Sequence, residues 1–160
     1  MSFLKQTKPV SKPAIPETPE QVKSNYPWMD IAIKELGVSE IFGSKDNPRI
    51  IEYHSATTLK ATEDETPWCA SFVSWCLEKA KIKSMRSARA KDYLKFGKEL
   101  VKPVFGCIVV FTRDGGGHVA FFVKEDEHGI YCLGGNQSNK VCYKYYPKAN
   151  LLGYRMPNGF

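Results

Sequence analysis

At 160 residues, 42% of them hydrophobic and 25% charged, the chain is long enough to bury one core unaided, and no apolar run approaches the roughly 20 residues of a membrane helix. A net charge of +6 and a pI near 9.0 leave an anionic partner open, whether nucleic acid, membrane surface or acidic wall polymer, without selecting one. The five cysteines, at 69, 76, 107, 132 and 142, form no CxxC pair and no short Cys/His ligand spacing, which speaks against a zinc site and leaves at least one thiol free.

Residues 1–25 are rich in proline and lysine and poor in large apolar side chains, which predicts an unpacked arm ahead of one domain at 26–160. The N-terminus has lysines but no apolar segment or small-residue cleavage site, so a conventional secretory signal is not expected. From Trp28, the pattern "WMDIAIKELGV" sets Trp28, Ile31, Ala32 and Leu36 on one helical stripe that stops at Gly37. The stretch "FGSKDNPRIIEYHSATTLKATEDET" is polar and reads mainly as a long loop, with one helical turn after Pro48.

Next comes "ETPWCASFVSWC". Thr66 is a suitable N-cap and Pro67 a suitable first helical residue, so Cys69 falls in the first turn of a helix reaching about Ala80. Cys69, Val73, Cys76 and Ala80 share one face of it. At a rise of about 1.5 Å per residue, Cys69 and Cys76 stand roughly 10 Å apart, too far for a disulfide. A further helix is expected from Ser87 to Phe96, ending near Gly97. After Pro103 the period becomes that of strands: "CIVVF", "HVAFFV", "IYCL", "VCYKYY" and "LLGYR", joined by short glycine-bearing connections that favour antiparallel hairpins. Both faces of the first two strands are apolar, so the sheet is expected to be covered on both sides. Helices first and strands afterwards define an α+β domain.

Cys69 is the cysteine whose position suggests chemistry. Backbone N–H groups at a helix N-terminus stabilise a thiolate, although the acidic Glu63, Asp64 and Glu65 oppose this and a small buried hydrophobe is the competing reading. His54, in the polar loop, and His128, in a charged turn, read as solvent-facing. His118 opens an apolar strand directly after three glycines, where bare backbone lets another group approach. A cysteine and a histidine in hydrogen-bond reach make the unit that thiol acyl chemistry requires, and a third polar group must orient the ring. Asn136 is the preferred third group and Gln137 the alternative, each competing with an ordinary turn role.

The ordered set "TPWCASFVSWCL", "GCIVVF", "GGGHVAFFV", "LGGNQSNKV" and "LLGYRMP" resembles the CHAP-type amidases (cysteine, histidine-dependent amidohydrolase/peptidase) and their NlpC-type relatives, over about Trp28 to Pro157. The resemblance implies a papain-like fold, with N-terminal helices packed on an antiparallel sheet of about five strands. It implies Cys69 as nucleophile, His118 as base and Asn136 as orienting residue, and makes Tyr53 a candidate oxyanion donor against the reading of an ordinary loop tyrosine; Trp68 is a candidate cleft wall and equally a core anchor. Where relatives read Gly-Asp before the first strand, this chain has Gly106-Cys107. No Asp-rich calcium loop is visible, so neither metal nor cofactor is expected.

The activity implied is amide hydrolysis in peptidoglycan, within the stem peptide or between sugar and peptide, by a phage endolysin, a wall hydrolase or a toxin delivered into rival bacteria. Such a protein would be made in the cytoplasm and act at the cell wall or periplasm as a monomer. It would meet an immunity protein if it is a toxin, and would neither bind nucleic acid nor insert into membrane. Lys102, Lys140, Lys144 and Lys148 are candidates for wall contact or for a merely solvated face. Two rival readings stay open: a non-catalytic module that binds a polyanion, and an acyltransferase using the same cysteine and histidine.

Overall fold

The computed structural model describes residues 26–42, 45–61 and 67–160. The arm expected at 1–25, the acidic run Glu63–Glu65 and the cap at Thr66 lie outside the described residues. Three helices, α1 (Pro27–Lys34), α2 (Pro48–His54) and α3 (Cys69–Lys79), precede a 3₁₀ turn at Ala90–Lys95. Six strands follow: β1 (Lys98–Leu100), β2 (Ile108–Arg113), β3 (Gly116–Glu125), β4 (Gly129–Gln137), β5 (Lys140–Pro147) and β6 (Leu151–Met156). All their pairings are antiparallel, in the order β1-β6-β2-β3-β4-β5. The architecture is α+β, as its sequence predicts, with one strand more than expected. That strand, β1, is three residues long and largely exposed, so it carries no alternation to read.

α3 is the centre of the molecule. Every residue from Cys69 to Leu77 is buried, because α1 and α2 cover one side of the helix and β3 and β4 the other. A helix enclosed in this way must satisfy its polar side chains internally. Ser71 Oγ lies 2.9 Å from His54 Nδ1, and Ser74 Oγ lies 2.5 Å from the Tyr93 hydroxyl.

His54 therefore corrects the sequence reading. The segment after Pro48 forms a capped helix, with the Asn47 side chain accepting from the Arg49 N–H, and this turns His54 into the core against α3. Local polarity suggested solvent; packing decided otherwise. His128 is exposed, as expected. On α1 the buried face is Trp28, Met29, Ala32 and Ile33, whereas Leu36 lies past the helix end and is exposed.

Two features of the sheet make room for a site. β3 pairs with β4 only between Phe121↔Leu133 and Glu125↔Ile130, while its pairing with β2 continues down to Gly116. The first five residues of β3 thus pair with β2 and have no ladder partner in β4. Beyond Leu133, β4 carries Gly134, which lies against Ala120 and the Gln137 side chain, and Gly135, against which α3 packs. A Cβ on Gly135 would stand 2.7 Å from both Phe72 Cβ and Trp68 Cζ3, so only a bare backbone lets the start of the helix sit this close.

Candidate active site

α3 begins slightly later than its sequence suggests. Trp68 occupies the N-cap and Cys69 is the first helical residue, with Pro67 outside. This places the Cys69 side chain at the helix mouth, beside the start of β3, where the Val119 backbone N–H is directed at the sulfur. The N–H groups of Cys69 and Ala70 add to it, as does the positive charge of Arg113. The thiol is nevertheless held above its ordinary value, because burial is the largest influence on it. The helix terminus acts in the expected direction, and desolvation outweighs it.

His118 is also buried, and its ring is fixed from several sides. Nε2 lies 2.9 Å from Gln137 Oε1 and 3.1 Å from the Tyr146 hydroxyl. The ring packs against that of Tyr146, with centroids 4.9 Å apart, and Tyr146 in turn stacks on Phe111. Gln137 cannot turn its amide around. Its Nε2 donates to the Cys142 carbonyl at 2.6 Å, which leaves Oε1 facing the histidine. A carbonyl-type oxygen can only accept, so the imidazole proton belongs on Nε2 and Nδ1 keeps its lone pair. Arg113 Nη1, 3.4 Å from Nδ1, agrees with that assignment as a long donor. Burial lowers the His118 pKa to about 4, with Arg113 and Lys144 pushing the same way against the Gln137 bond.

Burial thus works against the charged form of each group, the Cys69 thiolate and the His118 imidazolium. Val119, whose N–H meets the sulfur, follows His118 in the chain, and Arg113 acts on both groups. A cleft of about 400 Å³ opens on Cys69, lined in part by Pro67, Ala90, Arg113, Gly116 and Asn136.

The remaining candidates are distributed differently from their sequence reading. Gln137, not Asn136, holds the His118 ring. Asn136 lines the cleft with a left-handed backbone, φ 56°, at the irregular end of the β4–β5 pairing. A strand's alternation sends adjacent residues to opposite sides, and here the bulge between Gly134 and Gln137 decides which side each takes.

Tyr53 is no oxyanion donor. It is buried among Trp68, Phe72 and Trp75, and its hydroxyl donates to Glu35 Oε1 at 2.6 Å. Trp68 is fully buried in the same cluster and donates from Nε1 to Glu40 Oε2 at 2.9 Å, so it supports the helix start from behind and does not form the cleft wall. Among the four lysines singled out by sequence, Lys144 lies over the Tyr146 ring at 5.7 Å and Lys148 pairs with Glu125 at 2.8 Å; none lines the cleft. Its cations are Arg89, Lys91 and Arg113, which no sequence pattern distinguishes from other surface basic residues.

Among the described residues no cluster of His, Cys, Asp and Glu has a metal-binding arrangement, and no described helix is long and apolar enough to cross a membrane.

One similar solved structure is a protein from Staphylococcus aureus subsp. aureus Mu50, described as similar to a lipoprotein of the NLP/P60 family. It is 19% identical at a TM-score of 0.47, with 95% of this chain covered and 46% of that one. The chain thus spans less than half the length of that protein. No curated protein matches the sequence. The CHAP domain model matches residues 61–136, a span that contains Cys69, His118 and Asn136 and stops one residue before Gln137. That span takes in α3 with the cysteine mouth, β2, β3 and most of β4, so it is this part of the chain that is similar to a CHAP domain.

Proposed function

We propose that the protein is a cysteine amidase or peptidase that hydrolyses an amide bond of peptidoglycan, with Cys69 as nucleophile, His118 as general base and acid, and Gln137 as the residue that orients the ring. The observation that carries this reading is the tautomer imposed by Gln137. It leaves the lone pair of a buried, neutral histidine on Nδ1, on the strand whose next N–H meets the Cys69 sulfur.

In this mechanism the Cys69 sulfur attacks the amide carbonyl as its proton passes to His118 Nδ1. The new C–S bond and the broken C=O π bond give a tetrahedral oxyanion. N–H groups at the mouth of α3 are suited to receive it, an interaction worth about 3 kcal/mol per donor in comparable sites. Collapse expels the amine, which takes the proton from Nδ1, and leaves a thioester. Water, deprotonated by the same nitrogen, then releases the acid and restores the thiol. Because burial disfavours both thiolate and imidazolium, loss of the thiol proton accompanies attack.

The CHAP match supports the hydrolase class, and the acidic character of peptidoglycan suits a chain of net charge +6. Whether the host setting is a phage lysin, a wall hydrolase or a delivered toxin is a separate question of genomic neighbourhood: a pore-former beside the gene favours the first, an immunity protein the last. The test is to incubate purified protein and its Cys69→Ala variant with peptidoglycan and identify new termini by mass spectrometry. Addition of water at one amide, absent with the variant, is the expected result. An added amine would mean acyl transfer, and equal action by both proteins would mean a binding module.

A further inference from the structure

The cleft that opens on Cys69 has a charge arrangement that the thiol chemistry does not require. Arg89 and Lys91, on either side of Ala90, and Arg113, at the end of β2, line it, with Asp114 the one acidic residue among the described residues that do so. All three cations are exposed, and among the described residues none of them takes part in an ion pair. Their convergence is built into the backbone. A Cβ on Gly117 would stand 2.7 Å from Lys91 Cγ, so the missing side chain lets the lysine stem lie against β3 directly before His118. Arg113 reaches furthest in, its Nη1 3.4 Å from His118 Nδ1. That contact is too long to be a strong hydrogen bond, and among the described residues the guanidinium makes no other hydrogen bond or ion pair.

We propose that Arg113, supported by Arg89 and Lys91, forms a carboxylate-recognition subsite, so that the amide cut at Cys69 is one flanked by a residue with a free, unamidated carboxylate. This rests on the hydrolase reading and narrows it. Three like charges around a small cleft repel one another, and an anion between them relieves that repulsion. The planar fork of arginine matches a carboxylate with two parallel bonds, which a solvated lysine patch would not do. Because the guanidinium is so near His118, the carboxylate it holds must belong to the residue on one side of the scissile bond or the other. A bound carboxylate also offsets the positive charge facing His118, and so favours the imidazolium that forms when the thiol proton is transferred.

The test uses Cys69→Ala protein, which holds substrate without cutting it, titrated with a synthetic stem tetrapeptide bearing free carboxylates and with its counterpart in which they are carboxamides. The expected result is about tenfold tighter binding of the free acid, with the ratio falling towards one when Arg113→Gln is added. Equal affinity for the two peptides, no binding of either, or a preference that survives Arg113→Gln overturns the proposal. Arg113→Lys separates charge from geometry, and is expected to restore only part of the ratio. The hydrolase reading fails on a different measurement, the absence of any cleavage of peptidoglycan by the wild-type protein, so the two failures are distinguishable.

Discussion

Gln137 and His118 face each other across 2.9 Å from the ends of two strands that do not pair at that point, since the β3–β4 register stops at Phe121↔Leu133. With no ladder partner there, the His118 ring is held by side chains, while the Val119 N–H is directed at the Cys69 sulfur.

From this contact, Gln137→Leu should lower kcat on the order of 10²-fold or more, because the wrong tautomer puts a proton on the nitrogen that must accept one. Gln137→Glu should keep a substantial part of the rate, since a carboxylate also accepts from Nε2. Asn136→Ala, which removes a rim side chain at some cost in stability from its left-handed backbone, should keep kcat within a fewfold. Steady-state kinetics of the three variants decide the matter: a rate that survives Gln137→Leu and collapses with Asn136→Ala would return the orienting role to Asn136.

Acid should destabilise the fold through His118. Its folded-state pKa, near 4, is below the ordinary value of 6.5, so the unfolded chain binds the proton more readily. The stabilisation from keeping this ring neutral is complete above about 6.5 and drains away as pH falls towards 4, to a total of roughly 3 kcal/mol. Denaturant melts between pH 7 and 4 should show that slope, and His118→Gln should flatten it. An unchanged slope in the variant would assign the acid sensitivity elsewhere.

The same low value bears on activity. A base that stays neutral down to about 4 lets the acid limb of kcat/KM fall well below that of an ordinary histidine enzyme. Tyr146→Phe keeps the ring stacking and removes the hydroxyl 3.1 Å from Nε2, and is expected to cost less than tenfold in rate while shifting this limb. A limb centred near 6.5 in the wild type would contradict a buried, neutral His118.

Tyr53→Phe should separate structure from catalysis. Losing the 2.6 Å bond to Glu35, which also meets Arg49 at 3.1 Å, should destabilise the protein by about 1–3 kcal/mol and leave kcat nearly unchanged. A large fall in kcat with an unaltered melting temperature would restore Tyr53 as an oxyanion donor.

Gly135→Ala tests the seat of α3. The added methyl would meet Phe72 and Trp68 at 2.7 Å, and overpacking of that kind typically costs about 1–3 kcal/mol. Because those residues set the position of Cys69, activity should fall together with the melting temperature. Normal stability and activity would mean that the helix start can shift without consequence.

Much of this molecule follows from local patterns. Alternation and glycine-bearing turns mark five of the six strands, and helical spacing with a proline marks α3 to within a turn, because both depend on residues near one another in the chain. Cys69 and His118 were legible as candidates for the same reason: each has a distinctive immediate neighbourhood, a helix mouth and a glycine-led strand. Gln137 over Asn136, the burial of His54, the removal of Tyr53 from the cleft and the grouping of Arg89, Lys91 and Arg113 had no local signal. They depend on a bulge, on a second face of α3 and on a bare Gly117, all of which arise only when distant segments pack. The net electrostatics at Cys69 was equally a tertiary decision, since a helix terminus is written in sequence whereas the depth at which it is buried is not.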